Sequence, residues 1–250
     1  MDNKRENPGG NVLIPLLISI GIATLLYLAT GWWGFLIIFP WIGFAISFGL
    51  FLKKMLPARR KGLGRRITIL MVMPMLLFFV PIVNHENFQL EGVVLLILAG
   101  ILTKGVIHYA IAKIFGPLIW GRGFCGWACW TAAILEWLPI KKGLPIPAHL
   151  KRIRYVALII SIALPLSLVF FFNYRVIGNY VYRQERQWMF VGNGIYYIIA
   201  IPLAFTLNDP RAFCKIVCPV SLVMKVPTLV SAIKLGPSGK ECNGCGACIK

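Results

Sequence analysis

Four cysteines in this chain of 250 residues form two pairs with the same spacing and the same flanking residues. Cys125 and Cys129 lie in the segment RGFCGWAC, and Cys214 and Cys218 lie in RAFCKIVC, so both pairs read Arg-x-Phe-Cys-x3-Cys. The second copy follows the first by 89 residues at both cysteine positions (214 − 125 and 218 − 129). A motif that recurs at a fixed offset predicts an internal repeat, and we expect the two pairs to act together at one site.

The chemistry expected of these four thiols is metal binding. Cytoplasmic thiols are kept reduced, so four cysteines at a cytoplasmic membrane face favour metal ligands over disulfides. Two pairs would supply the four thiolates that an iron-sulfur cluster requires. Two alternatives stay open, namely a structural zinc site built from the same thiolates and inert, unpaired membrane cysteines.

A further cysteine motif, KECNGCGACIK, holds Cys242, Cys245 and Cys248. Its Cys-x2-Cys-x2-Cys spacing is the opening of a bacterial ferredoxin run, whose full form adds a fourth cysteine and a proline. The triplet favours iron and sulfur, because a zinc finger normally uses two separated pairs. The fourth cysteine is absent before Lys250, so we expect either a longer protein or a ligand from elsewhere, such as a membrane cysteine. All seven cysteines are candidate iron ligands of one or two 4Fe-4S clusters.

Composition indicates that the solvent of this chain is the lipid bilayer. Hydrophobic residues make up 58% of the chain and charged residues only 14%, and the mean hydropathy is +0.78, which is more apolar surface than one soluble core can bury. The net charge of +18 would suit a nucleic-acid-binding protein. However, the basic residues gather in short loops between apolar runs, which is typical of membrane topology and argues against nucleic acid as a partner.

The hydropathy pattern predicts an all-α integral membrane protein with about six transmembrane helices. The basic segments 53–66 and 141–154 are expected on the cytoplasmic side under the positive-inside rule. Both termini and all cysteine motifs then lie at the cytoplasmic face of a multi-pass protein of the cell (inner) membrane. The predicted spans are 12–29, 32–52, 67–83, 92–115, 155–172 and 189–207, and residues 173–188 form an outer loop.

A hairpin of two spans followed by a cysteine pair is predicted twice in the same orientation. Parallel repeats of this kind imply a pseudo-twofold axis along the membrane normal. The chain then divides into an N-terminal hairpin with a basic loop (1–66), repeat 1 (67–154), repeat 2 (155–235) and the start of a ferredoxin-type segment (236–250).

Pro219 follows Cys218 directly, and proline favours the first turn of a helix while disfavouring helical geometry in its predecessor. We therefore predict a helix that begins at Pro219, with Cys218 just outside it. Free N–H groups at that helix start would offset the negative charge of thiolate ligands, as would Arg122 and Arg211.

Two ionisable residues, Lys104 and His108, lie four residues apart within the fourth predicted span and share one helix face. Placing an ionisable side chain at that depth costs free energy, so such residues are candidate functional groups. We interpret them as a candidate quinone contact or proton route, although a lysine can also snorkel or pair with another group. An interfacial belt around the first cysteine pair is predicted from four tryptophans, namely Trp120, Trp127, Trp130 and Trp137.

Two membrane Cys-x3-Cys pairs followed by a ferredoxin-type run resemble the membrane-bound 4Fe-4S polyferredoxins of the NapH and NosR type. The pairs of that family read Cys-x3-Cys-Pro, which Cys214 to Pro219 match fully, whereas Trp130 stands at the proline position after Cys129. The resemblance covers residues 67–250. It implies 4Fe-4S clusters, and electron transfer between the quinone pool or a cytoplasmic donor and a partner redox protein or subunit.

Two other functions are compatible with the same thiols. One is a membrane factor that reduces metals or matures metalloenzymes, and the other is a zinc-thiolate scaffold protein. The sequence contains no nucleotide-binding glycine loop, flavin motif or acid-base constellation that would predict independent catalysis. An electron carrier or a subunit of an oxidoreductase complex is the function that we expect.

Overall fold

The computed structural model describes residues 10–57, 60–140, 146–174 and 181–233, and all regular elements in those ranges are helical. Five helices are long and apolar enough to cross a membrane, which confirms the expected all-α membrane protein. Cys242, Cys245 and Cys248 lie outside the described residues. The five membrane-crossing helices are Val12–Thr30, Phe35–Met55, Gly62–Asn84, Leu150–Phe170 and Val181–Thr206.

Shorter helices connect these five and carry the cysteine pairs. Two stretches widen into π-helix, Met75–Asn84 after α3 and Ile111–Phe115 after α5, and a 3₁₀ turn at Leu150–Arg152 precedes α9. In chain order the helices are α1 (Gly10–Thr30), α2 (Phe35–Met55), α3 (Lys61–Pro74), α4 (Leu90–Leu98), α5 (Lys104–Ala110), α6 (Gly116–Trp120), α7 (Gly123–Trp127), α8 (Trp130–Leu135), α9 (Ile153–Phe170), α10 (Val181–Thr206), α11 (Ala212–Ile216), α12 (Val220–Val223) and α13 (Lys225–Thr228).

Glycines allow α2 and α3 to pack at close range. A Cβ atom on Gly64 would lie 2.6 Å from the carbonyl oxygen of Gly49, so neither position has room for a larger residue. Membrane helices associate through small residues of this kind, because lipid provides no hydrophobic drive between them. The contact fixes α3 beside the N-terminal hairpin and thereby directs the start of α3 toward the first cysteine pair.

The fourth predicted span, 92–115, is not one helix. Helix α4 ends at Leu98, where Gly100 adopts φ +71 and the Ile101 N–H donates to the Leu96 carbonyl at 3.0 Å. This is the Schellman arrangement that terminates helices at glycine. The chain becomes helical again at Lys104. The prediction of an unbroken helix was wrong because the surrounding residues are uniformly apolar and give little other sign of a stop.

The outer loop predicted for residues 173–188 is also corrected. Helix α10 already begins at Val181, so the last eight residues of that segment form its first two turns. The segment VYRQERQW contains no glycine or proline, and Arg, Gln and Glu are good helix formers. Its charged residues concealed the helix from a hydropathy-based prediction. Glu185 of this segment is only 2% exposed.

Candidate metal centre

Both cysteine pairs lie in the same local structure. Each first cysteine sits in a five-residue helix, Cys125 in α7 and Cys214 in α11, and the arginine of the motif is the residue before that helix. Both ends of α7 and α11 differ by the offset of 89 residues that separates the pairs. The two copies of the motif therefore fold in the same way.

The turn after each first cysteine is closed by an equivalent hydrogen bond. The Ala128 N–H donates to the Phe124 carbonyl at 2.9 Å, and the Val217 N–H donates to the Phe213 carbonyl, also at 2.9 Å. In both halves the next residue is the second cysteine of the pair. The motif Arg-x-Phe-Cys-x3-Cys thus specifies a short helix and a turn that ends at the second cysteine.

The second cysteine of each pair immediately precedes a further short helix. Cys129 caps α8 in an extended conformation, with φ −72 and ψ 113. Cys218 lies outside α12, as predicted, although Pro219 occupies the capping position and the helix begins at Val220. Trp130 enters α8 at the place of the proline without changing the position of the cysteine.

Contacts between the two halves bring the four thiols together. Cys214 and Cys218 pack against one apolar cluster that includes Leu135 of the first half, and the Cys125 Sγ lies 3.5 Å from the Met224 Sδ of the second. Cys214 interacts electrostatically with each of the other three cysteines of the two pairs. All four are free thiols. The structure thus places the four predicted ligands at one location.

Burial makes these thiols poor acids without a metal. Desolvation and the neighbouring sulfurs raise the pKa of Cys214, and they raise the pKa of Cys218 to about 12. The pKa of Cys125 is raised for the same reasons. Since a coordinating thiol is deprotonated outright by its metal, the site is suited to a strongly cationic group.

The donor set fits an iron-sulfur cluster. In the part of the chain that the structure describes, no three His, Cys, Asp or Glu side chains converge on a point where one metal ion would bind. A 4Fe-4S cluster takes four cysteine ligands, each on a different iron atom, so its thiolates surround a group larger than one ion. Four free thiols supplied in two matched pairs meet that requirement.

A buried carboxylate, Glu136, joins the two halves beside the thiols. It accepts hydrogen bonds from Arg65 at 2.8 and 3.1 Å and from the Arg211 Nε at 2.6 Å, with a further bond from the Arg211 Nη2. Arg65 also donates to the Gly126 carbonyl of α7 at 3.2 Å. Glu136 therefore connects the start of α3, the first cysteine helix and the arginine that precedes the second.

The electrostatics of this cluster keep Glu136 charged. Burial raises the pKa of the carboxyl, but the hydrogen bond from Arg65 and the charge of Arg211 outweigh burial and hold it below its ordinary value. Burial lowers the pKa of Arg211, and the carboxylate outweighs that effect and raises it. Sequence reasoning missed Glu136. One feature of the sequence could have indicated it. The chain has only eight acidic residues, and Glu136 is one that lies in a strongly basic segment.

A cavity of about 590 Å³ lies at the break in the fourth span, and Lys104 is part of its wall. His108 is one turn further along α5, and its Nδ1 lies 2.5 Å from the Glu86 Oε2. Glu185 also lines the cavity, and its Oε1 accepts a hydrogen bond from the Thr103 hydroxyl at 2.7 Å. Neither Glu86 nor Glu185 was predicted as a site residue, because both fell in segments expected to be exposed.

Aromatic contacts connect this cavity with the cysteines. The ring of Phe88 lies 6.3 Å from that of His108 and 6.1 Å from that of Trp130, measured between centroids. Trp130 is 5% exposed, and its indole N–H donates to the Asn193 Oδ1 at 2.5 Å. Its assignment to an interfacial belt was therefore wrong. Trp130 instead fills the space between the first cysteine pair and the core.

Fold and site together define an all-helical membrane protein with four thiols gathered at the ends of a duplicated helix-turn-helix motif. Residues 109–147 and 194–237, each holding one cysteine pair, match a family described as a 4Fe-4S binding domain. The chain is also similar to the uncharacterized protein MJ0749 of Methanocaldococcus jannaschii, with 29% identity over 207 residues, which cover 75% of this chain and 74% of that protein. No solved structure matches the chain. The family match supports an iron-sulfur protein.

Proposed function

We propose that this protein carries electrons through a 4Fe-4S cluster ligated by Cys125, Cys129, Cys214 and Cys218. The observation that carries the proposal is that two equivalent helix-turn-helix motifs bring four free thiols close enough to interact electrostatically. Each motif lies in a segment that matches a 4Fe-4S binding domain. When bound, such a cluster accepts and releases single electrons, with a potential set by charge, hydrogen bonds and exposure.

Within this proposal the protein belongs with the membrane-bound polyferredoxins of the NapH and NosR type, and its two halves arose by duplication. The equal offset of the cysteine pairs and of helices α7 and α11 supports the duplication. The clusters lie at the cytoplasmic face of the cell membrane, on the side of the basic loops. Other redox proteins or subunits are the partners that exchange electrons with them.

A second cluster is proposed for Cys242, Cys245 and Cys248. The last described residues lie beside α6, because the Ile233 N–H donates to the Ile119 carbonyl at 2.8 Å. Helix α6 directly precedes the helix that carries Cys125. The tail therefore continues from a point beside the first cysteine pair.

We propose the cavity at Lys104 and His108 as the site where a quinone exchanges electrons with this chain. Oxidation of a hydroquinone to the quinone releases two electrons and two protons. The two electrons pass to the cluster one at a time, each leaving it before the next arrives. The His108 and Glu86 pair beside the cavity receives one of the two protons, and the other is released to the solvent. Phe88 and Trp130 lie between that pair and Cys129, which is a short path for the electrons.

The experiment is an anaerobic redox titration of the purified protein in detergent, followed by electron paramagnetic resonance. A reversible paramagnetic signal that appears on reduction by dithionite is expected. Reduction by a soluble hydroquinone is then compared in the wild type and in His108→Gln, which keeps a polar side chain but loses the imidazole ring. The variant should react slowly with the hydroquinone and normally with dithionite.

Two results would contradict these proposals separately. A protein that contains zinc and no acid-labile sulfide, and that shows no signal on reduction, would refute the electron carrier. A normal dithionite signal with equal hydroquinone rates in the wild type and His108→Gln would refute only the quinone site.

A further inference from the structure

We propose that Lys113 is the fixed cation of the four-thiolate site and that it raises the reduction potential of the group bound there. The inference rests on the proposed function, and it assigns a role to a residue that no sequence motif singles out. Lys113 would act on the cluster through its charge, without ligating it.

Lys113 is buried while its apolar neighbours are exposed, which is the reverse of the usual arrangement for a charged residue. It lies in the π-helical stretch Ile111–Phe115, where it is the buried residue at 5% exposure. Its neighbours Ile111 and Phe115 are 54% and 57% exposed. Short π-helical stretches occur frequently at functional sites, where the wider turn redirects a side chain. Here the redirected side chain is a lysine that points into the protein.

The ammonium group of Lys113 lies directly beside the first cysteine pair. It is 3.3 Å from the ring centroid of Phe124, which precedes Cys125, and 5.2 Å from that of Trp130, which follows Cys129. It interacts electrostatically with Cys129, Cys125 and Cys218. Lys113 thus faces thiols of both halves.

Lys113 has no carboxylate partner among the residues that the structure describes. The half-buried cations near the site differ in this respect, since Arg65 and Arg211 are both bound to Glu136. An isolated buried charge is unfavourable unless an opposite charge compensates it. The aromatic rings provide part of that compensation, and an anionic group held by the four cysteines would provide the rest.

The sign of the effect follows from the charge of the bound group. Four thiolates around a 4Fe-4S core give a negative complex, and one-electron reduction makes it more negative by one charge without breaking a bond. A nearby cation stabilises the reduced form more than the oxidised form, so it raises the potential. The equivalent position in the second half is Pro202 of α10, so no cation stands there that corresponds to Lys113.

The test compares three variants of the full chain by redox titration monitored by electron paramagnetic resonance. Lys113→Met removes the charge with a flexible side chain of similar length, and Lys113→Arg keeps the charge. Lys225→Met removes a lysine from an exposed position on α13, next to Met224, whose Sδ lies 3.5 Å from the Cys125 Sγ. Iron and acid-labile sulfide are measured in every sample.

We expect Lys113→Met to retain iron and sulfide and to lower the equilibrium constant for reduction at least about tenfold, which is about 59 mV for a one-electron couple. Lys113→Arg and Lys225→Met should keep the wild-type potential. Equal potentials in Lys113→Met and Lys225→Met, with wild-type iron, would overturn the inference while leaving the cluster intact.

If Lys113→Met lacks iron, the charge-preserving variant decides the matter. Iron retained in Lys113→Arg supports a requirement for the cation, whereas iron lost from both variants shows that only the shape of lysine matters and overturns the inference. A wild-type protein without iron and sulfide would refute the proposed function itself, so the two failures are distinguishable.

Discussion

The two halves of the candidate site have matching backbones and different surroundings. Helices α7 and α11 have the same length and the same offset as the cysteines within them. The span before the first pair is interrupted at Gly100, whereas α10 before the second pair is continuous from Val181 to Thr206. The motif therefore specifies the positions of the sulfurs, and the preceding span is free to vary.

Charge distinguishes the halves further. Lys113 and Glu136 of the first half correspond to Pro202 and Lys225 of the second. Glu136 is buried among arginines, whereas Lys225 is exposed. The two equivalent pairs of thiols thus have different charged neighbours. The proposed ligation needs both halves, whereas the proposed effect of Lys113 on the potential comes from the first.

The largest expected effect is the loss of the cluster on replacing a cysteine, which is the residue type that both halves share. Serine is a poor ligand for iron compared with the soft thiolate, so Cys125→Ser and Cys214→Ser should each abolish the membrane cluster. Iron and sulfide analysis measures the loss, and Cys245→Ser in the tail is the control that should keep this cluster. A full complement of iron in only one of the two membrane variants would show that the halves do not form one site.

The next effect concerns the carboxylate that is specific to the first half. Removing one member of a buried ion pair leaves the partner charge uncompensated, so Glu136→Gln should lower the free energy of unfolding by about 3–5 kcal/mol. Equilibrium unfolding in mixed detergent micelles measures it. Asp209→Asn is the control in the second half, because Asp209 pairs with the exposed Lys215, an arrangement that contributes about 0–1 kcal/mol.

Glu136 also predicts a dependence on pH. Its pKa in the folded protein lies below the ordinary value of 4.5, so its stabilising contribution is complete above that value and is lost as the pH falls through the folded pKa. The unfolding free energy of the wild type should therefore decrease on acidification below about pH 4.5, and the decrease should be smaller in Glu136→Gln. Parallel curves for the two proteins would show that Glu136 is not the responsible group.

Trp130→Phe tests the residue that replaces proline in the first half. Loss of the indole N–H leaves the buried Asn193 oxygen without its donor, which costs about 1–3 kcal/mol. The exposed Trp137 provides the control, because its replacement by Phe should change the unfolding free energy by no more than about 0.5 kcal/mol. Equal effects of the two substitutions would mean that the hydrogen bond to Asn193 does not stabilise the fold.

The smallest effect is expected from the corresponding residue of the second half. Pro219 restricts the unfolded chain just before α12, so Pro219→Ala should lower the free energy of unfolding by about 0.4–1 kcal/mol. Thermal or detergent-induced unfolding measures it. A loss larger than that of Trp130→Phe would reverse the assigned order, since it would make the proline the more important of the two.

Local patterns predicted much of this molecule. The apolar runs gave the membrane helices, and the spacing of Cys125, Cys129, Cys214 and Cys218 predicted that the two pairs would meet. Pro219 correctly placed Cys218 outside its helix. The helices and the position of Cys218 depend on residues that are close in the chain, where propensity and periodicity apply, whereas the meeting of the two pairs was predicted from the recurring motif.

Features that depend on distant residues were not visible in the sequence. Glu136 and Arg65 are separated by 71 positions, and the sequence around either residue does not indicate that the two would pair. Glu86 appeared to be an exposed loop residue, but it pairs with His108 beside a cavity. Lys113 looked like an ordinary basic residue near the end of a span, and only the π-helical turn directs it inward. Tertiary packing decides the role of each of these groups.

The central claim is that the two membrane pairs together bind one 4Fe-4S cluster. The most direct measurement is the iron and acid-labile sulfide content of the full-length chain in which Cys242, Cys245 and Cys248 are all replaced by serine. We predict about four iron and four sulfide ions per chain. Zinc without sulfide, or complete loss of iron together with the tail cysteines, would contradict the claim.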